Sequence, residues 1–249
     1  MAYPYDVFNN APGKEAKEVK NNSTALNITK VFLYMFIGLF ITAVIAFALG
    51  YIVYANATEE TLTGYLIALA ISAVLLIINS VVINFVYIKG KHSILIPGII
   101  YCVLLGVVLS FLTLVIDWRL LGITLAITVF AFMLMSLISF LTKGKMAPVL
   151  IALVGLGSGI GFIALFTWIF ALFTGVIIEV LWWAIIIGSF IIIMLVTIYD
   201  LWRIKKIAEQ GQMNNNITLY CAFVMYTDFI NVFLRILYFV IILSSRSRR

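Results

Sequence analysis

Seven long apolar runs, at residues 31–54, 62–88, 94–116, 120–141, 147–173, 180–199 and 217–243, occupy most of this 249-residue chain. A helix needs about 20 apolar residues to cross the hydrocarbon core of a bilayer. Inside that core only helices and closed barrels satisfy their own backbone N–H and C=O groups. Barrel strands are about ten residues of alternating polarity, whereas Ala184 to Ile198 runs on without alternation. The expected fold class is therefore an all-α membrane protein with seven transmembrane helices. Composition agrees, since 10% of residues are charged against about 25% in soluble domains. The runs leave no room for a separate soluble domain. Residues 1–29 read as a disordered cytoplasmic tail, 30–243 as the seven-helix transmembrane domain and 244–249 as a short basic C-terminal tail. The tail at 1–29 lacks the basic start, short apolar core and cleavage site of a signal peptide.

A net charge of +6 in a soluble chain would raise nucleic acid as a partner. Here the cations sit in short clusters between apolar runs, so they set topology and no nucleic-acid partner is expected. With the N-terminus inside, the inner connections carry eleven cations: Lys14, Lys17, Lys20, Lys30, Lys89, Lys91, Lys143, Lys145, Arg203, Lys205 and Lys206. The outer connections carry one, Arg119, beside Asp117, Glu59, Glu60 and Glu179. The positive-inside rule then places the N-terminus in the cytoplasm. Seven crossings put Arg246, Arg248 and Arg249 outside against the same rule, and the length of Ile217 to Leu243 favours crossing over re-entry. Cys102 and Cys221 both lie in apolar runs, where no disulfide framework is expected.

Two acids stand at membrane depth. Asp200 closes the sixth run and Asp228 lies well inside the seventh. An acid at the bilayer centre costs at least about 2.5–3.5 kcal/mol, so such groups face a bundle interior and mark ion or proton paths. Pairing with Arg203, one turn on, offers Asp200 a plainer role at the interface. Cys221, Val224, Asp228, Asn231 and Arg235 recur at spacings of three and four, which predicts a polar stripe along one face of the last helix. Asp228 and Arg235 are two turns apart, about 10 Å along the axis, too far for an ideal contact. A slanted entry, or a loosely wound start through Asn214, Asn215 and Asn216, would bring Asp200 and Asp228 to similar depth. Two carboxylates that meet share a proton more cheaply than they carry two charges, and they titrate as a unit.

Other motifs have structural readings. Gly155/Gly159 and Gly157/Gly161 are overlapping small-xxx-small pairs, expected to let a neighbouring backbone approach. They do not form a dinucleotide fingerprint, because Ile160 occupies the place of its third glycine. His92 is the sole histidine, so no His-pair metal motif exists. Ser158 lacks the flanks of a nucleophile elbow, and no catalytic residue is assigned. Asn79, Ser80 and Asn84 in the second run are expected first to hydrogen-bond between helices and second, with Asn231, to line a path.

Tyr199-Asp200-Leu201 with Ile204-Lys205, then Leu219-Tyr220 through Asp228-Phe229-Ile230-Asn231-Val232-Phe233, closely resemble motifs of the Bax-inhibitor (transmembrane Bax inhibitor motif) family, in its bacterial type. Lys30-Val31-Phe32 with Gly38, Tyr101 with Gly106, Met135-Ser136-Leu137 before Thr142-Lys143, and Gly155-Leu156 support the likeness, which covers nearly all of 30–243. The resemblance implies a seven-helix bundle with a central last helix, acting as a pH-sensitive calcium leak whose paired aspartates fall on Asp200 and Asp228. Bacterial members also carry a second-helix arginine that contacts the aspartates and an intramembrane glutamate. This chain offers Lys89 and Lys91 for the arginine and has no acid between Leu62 and Ile88. Lysine is a point charge where arginine is a bidentate fork, so the latch should be weaker.

The reading from sequence is a pH-sensitive calcium leak channel or exchanger, gated by Asp200 and Asp228, which also form the calcium site. Lys89, Lys91 and Arg235 are the candidate latch cations. No cofactor is expected, calcium being the transported ion, and the partners are the lipid bilayer, calcium and protons. A bacterial plasma membrane is the preferred location and an internal eukaryotic membrane the alternative. The competing functions are a non-conducting, stress-protective interaction protein and an intramembrane aspartyl-type hydrolase.

Overall fold

The computed structural model describes residues 13–89, 93–142, 146–174 and 179–247. Among them the regular structure is entirely helical: α1 (Gly13–Ala55), α2 (Glu59–Lys89), α3 (Leu95–Val115), α4 (Trp118–Leu141), α5 (Ala147–Thr174), α6 (Glu179–Glu209) and α7 (Asn215–Ser247). Each of the seven is long and apolar enough to span a bilayer. The all-α seven-span expectation therefore holds, with two differences at helix ends. α1 begins at Gly13, so residues 13–29, expected to be disordered, are helical. The segment is rich in Ala, Lys and Glu, all good helix formers, and it extends a helix already nucleated in the membrane. α6 runs past the end of its apolar stretch to Glu209, where Lys206 Nζ donates to Glu209 Oε2 at 3.0 Å.

The chain divides into two compact units, one of Met1–Ile116 with Ile204–Tyr226 and the other of Asp117–Arg203 with Thr227–Arg249. In the first unit α3 packs on both α1 and α2. Its contact with α1 is close because glycines meet side chains there. A Cβ on Gly106 would stand 2.8 Å from Ile45 Cβ and 3.0 Å from the Thr42 carbonyl oxygen, and one on Gly50 would collide with the Thr113 hydroxyl. Side-chain hydroxyls then bond across the seam: Thr113 Oγ1 donates to the Ala46 carbonyl at 3.3 Å, and Tyr65 of α2 meets Ser110 Oγ at 2.8 Å. Such bonds carry weight in a bilayer, where apolar burial gives little drive between helices.

In the second unit α4 buries Leu121, Thr124, Thr128, Phe132, Met135 and Ser139, a single face at spacings of three and four. Thr124 and Thr128 donate to carbonyls four residues back, at 2.7 Å each, which lets hydroxyls sit on a buried face. Phe132 meets Phe229 edge to face at 5.5 Å between centroids, and Phe190 meets Phe239 at 5.3 Å.

The expected close packing at Gly155, Gly157, Gly159 and Gly161 is not found. A Cβ at any of the four meets nothing within 4 Å. Among the described residues of this unit, the glycine that admits a neighbour is Gly188 of α6, against Ile160 of α5. Spacing shows where a backbone is bare, and the fold decides which bare backbone faces a partner.

Candidate ion-gating site

Asp200 and Asp228 lie in the same unit. α6 continues nine residues beyond Asp200, which sets the acid roughly 13 Å of helix rise from the end of α6. Asp228 stands thirteen residues after the start of α7, roughly 20 Å of rise. The loosely wound start expected for α7 is not found. α7 is helical from Asn215, and Asn214 caps it by accepting from the Ile217 amide at 2.8 Å. The reversal between the helices uses Gly211 at φ +70, with the Gln212 amide bonded to the Ile207 carbonyl at 3.3 Å and the Gly211 amide to that of Ala208 at 3.1 Å. This is the Schellman pattern, which needs a residue tolerant of the left-handed region.

Asp228 is 7% exposed, and its Oδ2 has no hydrogen-bond partner among the described residues. Asp200 is half-buried and acts electrostatically on Asp228. Arg203 acts on Asp200 through space, without a direct ion pair among the described residues. Asp200 and Arg203 thus interact without the contact ion pair expected of an ordinary interfacial acid. Tyr199 and Trp202 flank Asp200 with ring centroids 6.0 Å apart. No third His, Cys, Asp or Glu joins the two acids in a metal-sized cluster among the described residues. A calcium ion takes six to eight oxygens, so these carboxylates would supply part of its shell, with water or backbone carbonyls completing it.

The last helix does not bury its polar stripe as a unit. Its buried face carries Ala222, Met225, Phe229, Val232 and Ile236, again at spacings of three and four. Asp228 and Cys221 lie at one edge of that face, Arg235 is half-buried, and Asn231 is exposed. Helical rotation explains the order, because Asn231 falls farther round the axis from the buried centre than Asp228 does. Asn79 and Asn84 serve in interhelical bonds: Asn79 Nδ2 donates to the Pro97 carbonyl at 2.8 Å, and Asn84 Oδ1 accepts from the Tyr220 hydroxyl at 3.2 Å. α2 closes at Lys89, whose side chain lies outside the described residues, as do Lys91 and His92.

Sequence reasoning missed a polar knot in the first unit. Thr42 Oγ1 lies 2.6 Å from the Tyr226 hydroxyl, 3.0 Å from the Gly38 carbonyl oxygen and 3.1 Å from that of Cys102. Tyr226 is among the largest fully buried side chains. A buried tyrosine in a membrane helix needs a partner for its hydroxyl, and that need is the one signal that could have led to the knot.

The fold and these acids define a polytopic helical membrane protein with a buried carboxyl whose Oδ2 has no hydrogen-bond partner among the described residues. The family described as inhibitor of apoptosis-promoting Bax1 matches residues 24–247, and the chain belongs to that family. No curated protein and no solved structure matches the chain.

Proposed function

We propose that this protein is a pH-sensitive cation leak, with calcium as the transported ion and Asp200 and Asp228 as its gate. The reading rests on one observation: Asp228 is a carboxyl at membrane depth, 7% exposed, whose Oδ2 has no partner among the described residues while a second acid acts on it. A buried charge without a partner is costly in a membrane and is retained where it serves an ion or proton path. When the two acids share a proton, they hold α6 and α7 together. When the proton leaves, their repulsion is relieved by an entering cation, and calcium suits that place because it accepts irregular oxygen geometry. Arg203 on α6 acts on Asp200, and Arg235 is half-buried two turns further along α7 than Asp228. No residue is assigned a catalytic role.

The test is calcium entry into proteoliposomes containing the purified full chain. Protein-dependent flux that falls in Asp228→Asn is the expected result. Absence of any protein-dependent flux would overturn the channel reading in favour of a membrane interaction protein.

A further inference from the structure

We propose a second site, independent of the acid pair: a groove in the first unit that holds one acyl chain of an anionic phospholipid, with its phosphate at Lys30. The groove has a volume of about 210 Å³ and is walled by α1, α3 and the start of α7. An apolar cavity of about 150 Å³ already takes up benzene, so this one admits a length of hydrocarbon chain. Its floor is closed at Gly38, where a Cβ would come 3.1 Å from Cys102 Sγ and 3.2 Å from Tyr226 Cδ2. Its wall is open at Gly98, where a Cβ would meet nothing within 4 Å. The rim residues Ile37, Leu95 and Ile99 are exposed within membrane spans, so the mouth faces hydrocarbon and not water. Each wall lies within the spans Thr24–Ala55, Leu95–Val115 and Asn215–Ser244, or next to their ends.

Apolar contact alone selects no lipid, because tails are as apolar outside the groove as within it. Selection has to come from charge. Lys30 is exposed and precedes the groove residue Tyr34 by four positions, so it lies on the same face of α1, roughly 6 Å of rise beyond it. A lysine so placed snorkels to the interface and meets a phosphate there, with the Tyr34 phenol between headgroup and chain. The complementarity of one cation to an anionic headgroup, above a groove sized for hydrocarbon, identifies the occupant.

The experiment is native mass spectrometry of the full chain released from micelles holding equal amounts of phosphatidylglycerol and phosphatidylcholine with the same acyl chains. The expected wild-type result is one retained lipid, with phosphatidylglycerol favoured about fivefold, the effect of one cation near the membrane surface. Gly98→Leu fills the open wall and should reduce retention of both lipids to background. Lys30→Gln should keep a lipid and lose the preference. Equal retention of the two lipids by the wild type, or unchanged phosphatidylglycerol retention in Gly98→Leu, would overturn the proposal. So would a dimer of the chain that disappears in Gly98→Leu, since the groove would then hold a second copy. Thermal unfolding in detergent shows whether Gly98→Leu folds; if it does not, the Lys30→Gln comparison decides alone.

Discussion

The Tyr226 hydroxyl lies 2.6 Å from Thr42 Oγ1, and this contact joins the last helix of the chain to the first. Thr42 also donates toward two carbonyls, one on α1 and one on α3. One hydroxyl thus holds three helices together where hydrophobic drive is weak. Removing either member, in Tyr226→Phe or Thr42→Val, should cost about 0.6 kcal/mol and at most about 1.7, the mean and maximum for side-chain hydrogen bonds within membranes. The double variant should cost less than the sum, because both changes delete one bond. Equilibrium unfolding in mixed micelles measures the cycle, and strict additivity would show that the contact contributes nothing.

Gly106 and Gly157 should respond oppositely to a methyl group. Gly106→Ala drives a Cβ against Ile45 and the Thr42 carbonyl, and should destabilise by about 1–3 kcal/mol. Gly157→Ala meets open space and should be neutral or stabilising by up to about 1 kcal/mol, the gain of alanine over glycine in a helix. The same unfolding assay compares them.

The pH dependence of flux tests the gate itself. Under the proposed mechanism the shared proton closes the site, so calcium flux should rise across about pH 6–8 as the pair gives up its proton. Asp228→Asn removes a group that can share or release that proton, and it should flatten the profile. A variant that kept the wild-type profile would show that the sensor lies elsewhere.

Topology follows from charge. The excess of cations in the connections holding Lys89, Lys143 and Lys205 should place those loops and the N-terminus in the cytoplasm. Single cysteines near Lys143, introduced on a background lacking Cys102 and Cys221, should resist membrane-impermeant thiol reagents in intact cells. Labelling from outside would reverse the orientation.

Seven spans were legible in the sequence because a bilayer leaves the backbone few choices: a run of about 20 apolar residues must be helical whatever it packs against. The acids were legible for the same reason, since a carboxyl in such a run is costly and stands out. What the sequence left open was rotation and helix length beyond the apolar runs. Asn231 shares a three-and-four spacing with Asp228 yet is exposed, because the buried face is centred on Met225, Phe229 and Val232. Gly155 to Gly161 look like a packing seam and meet nothing, while Gly106 and Gly188, outside that run, admit side chains. The continuation of α6 to Glu209 was not legible either, because Arg203, Lys205 and Lys206 break the apolar run there. Apolar length is a property of one segment against lipid, so sequence alone determines it. The facing of a helix depends on which neighbour it meets, and only the tertiary structure decides that.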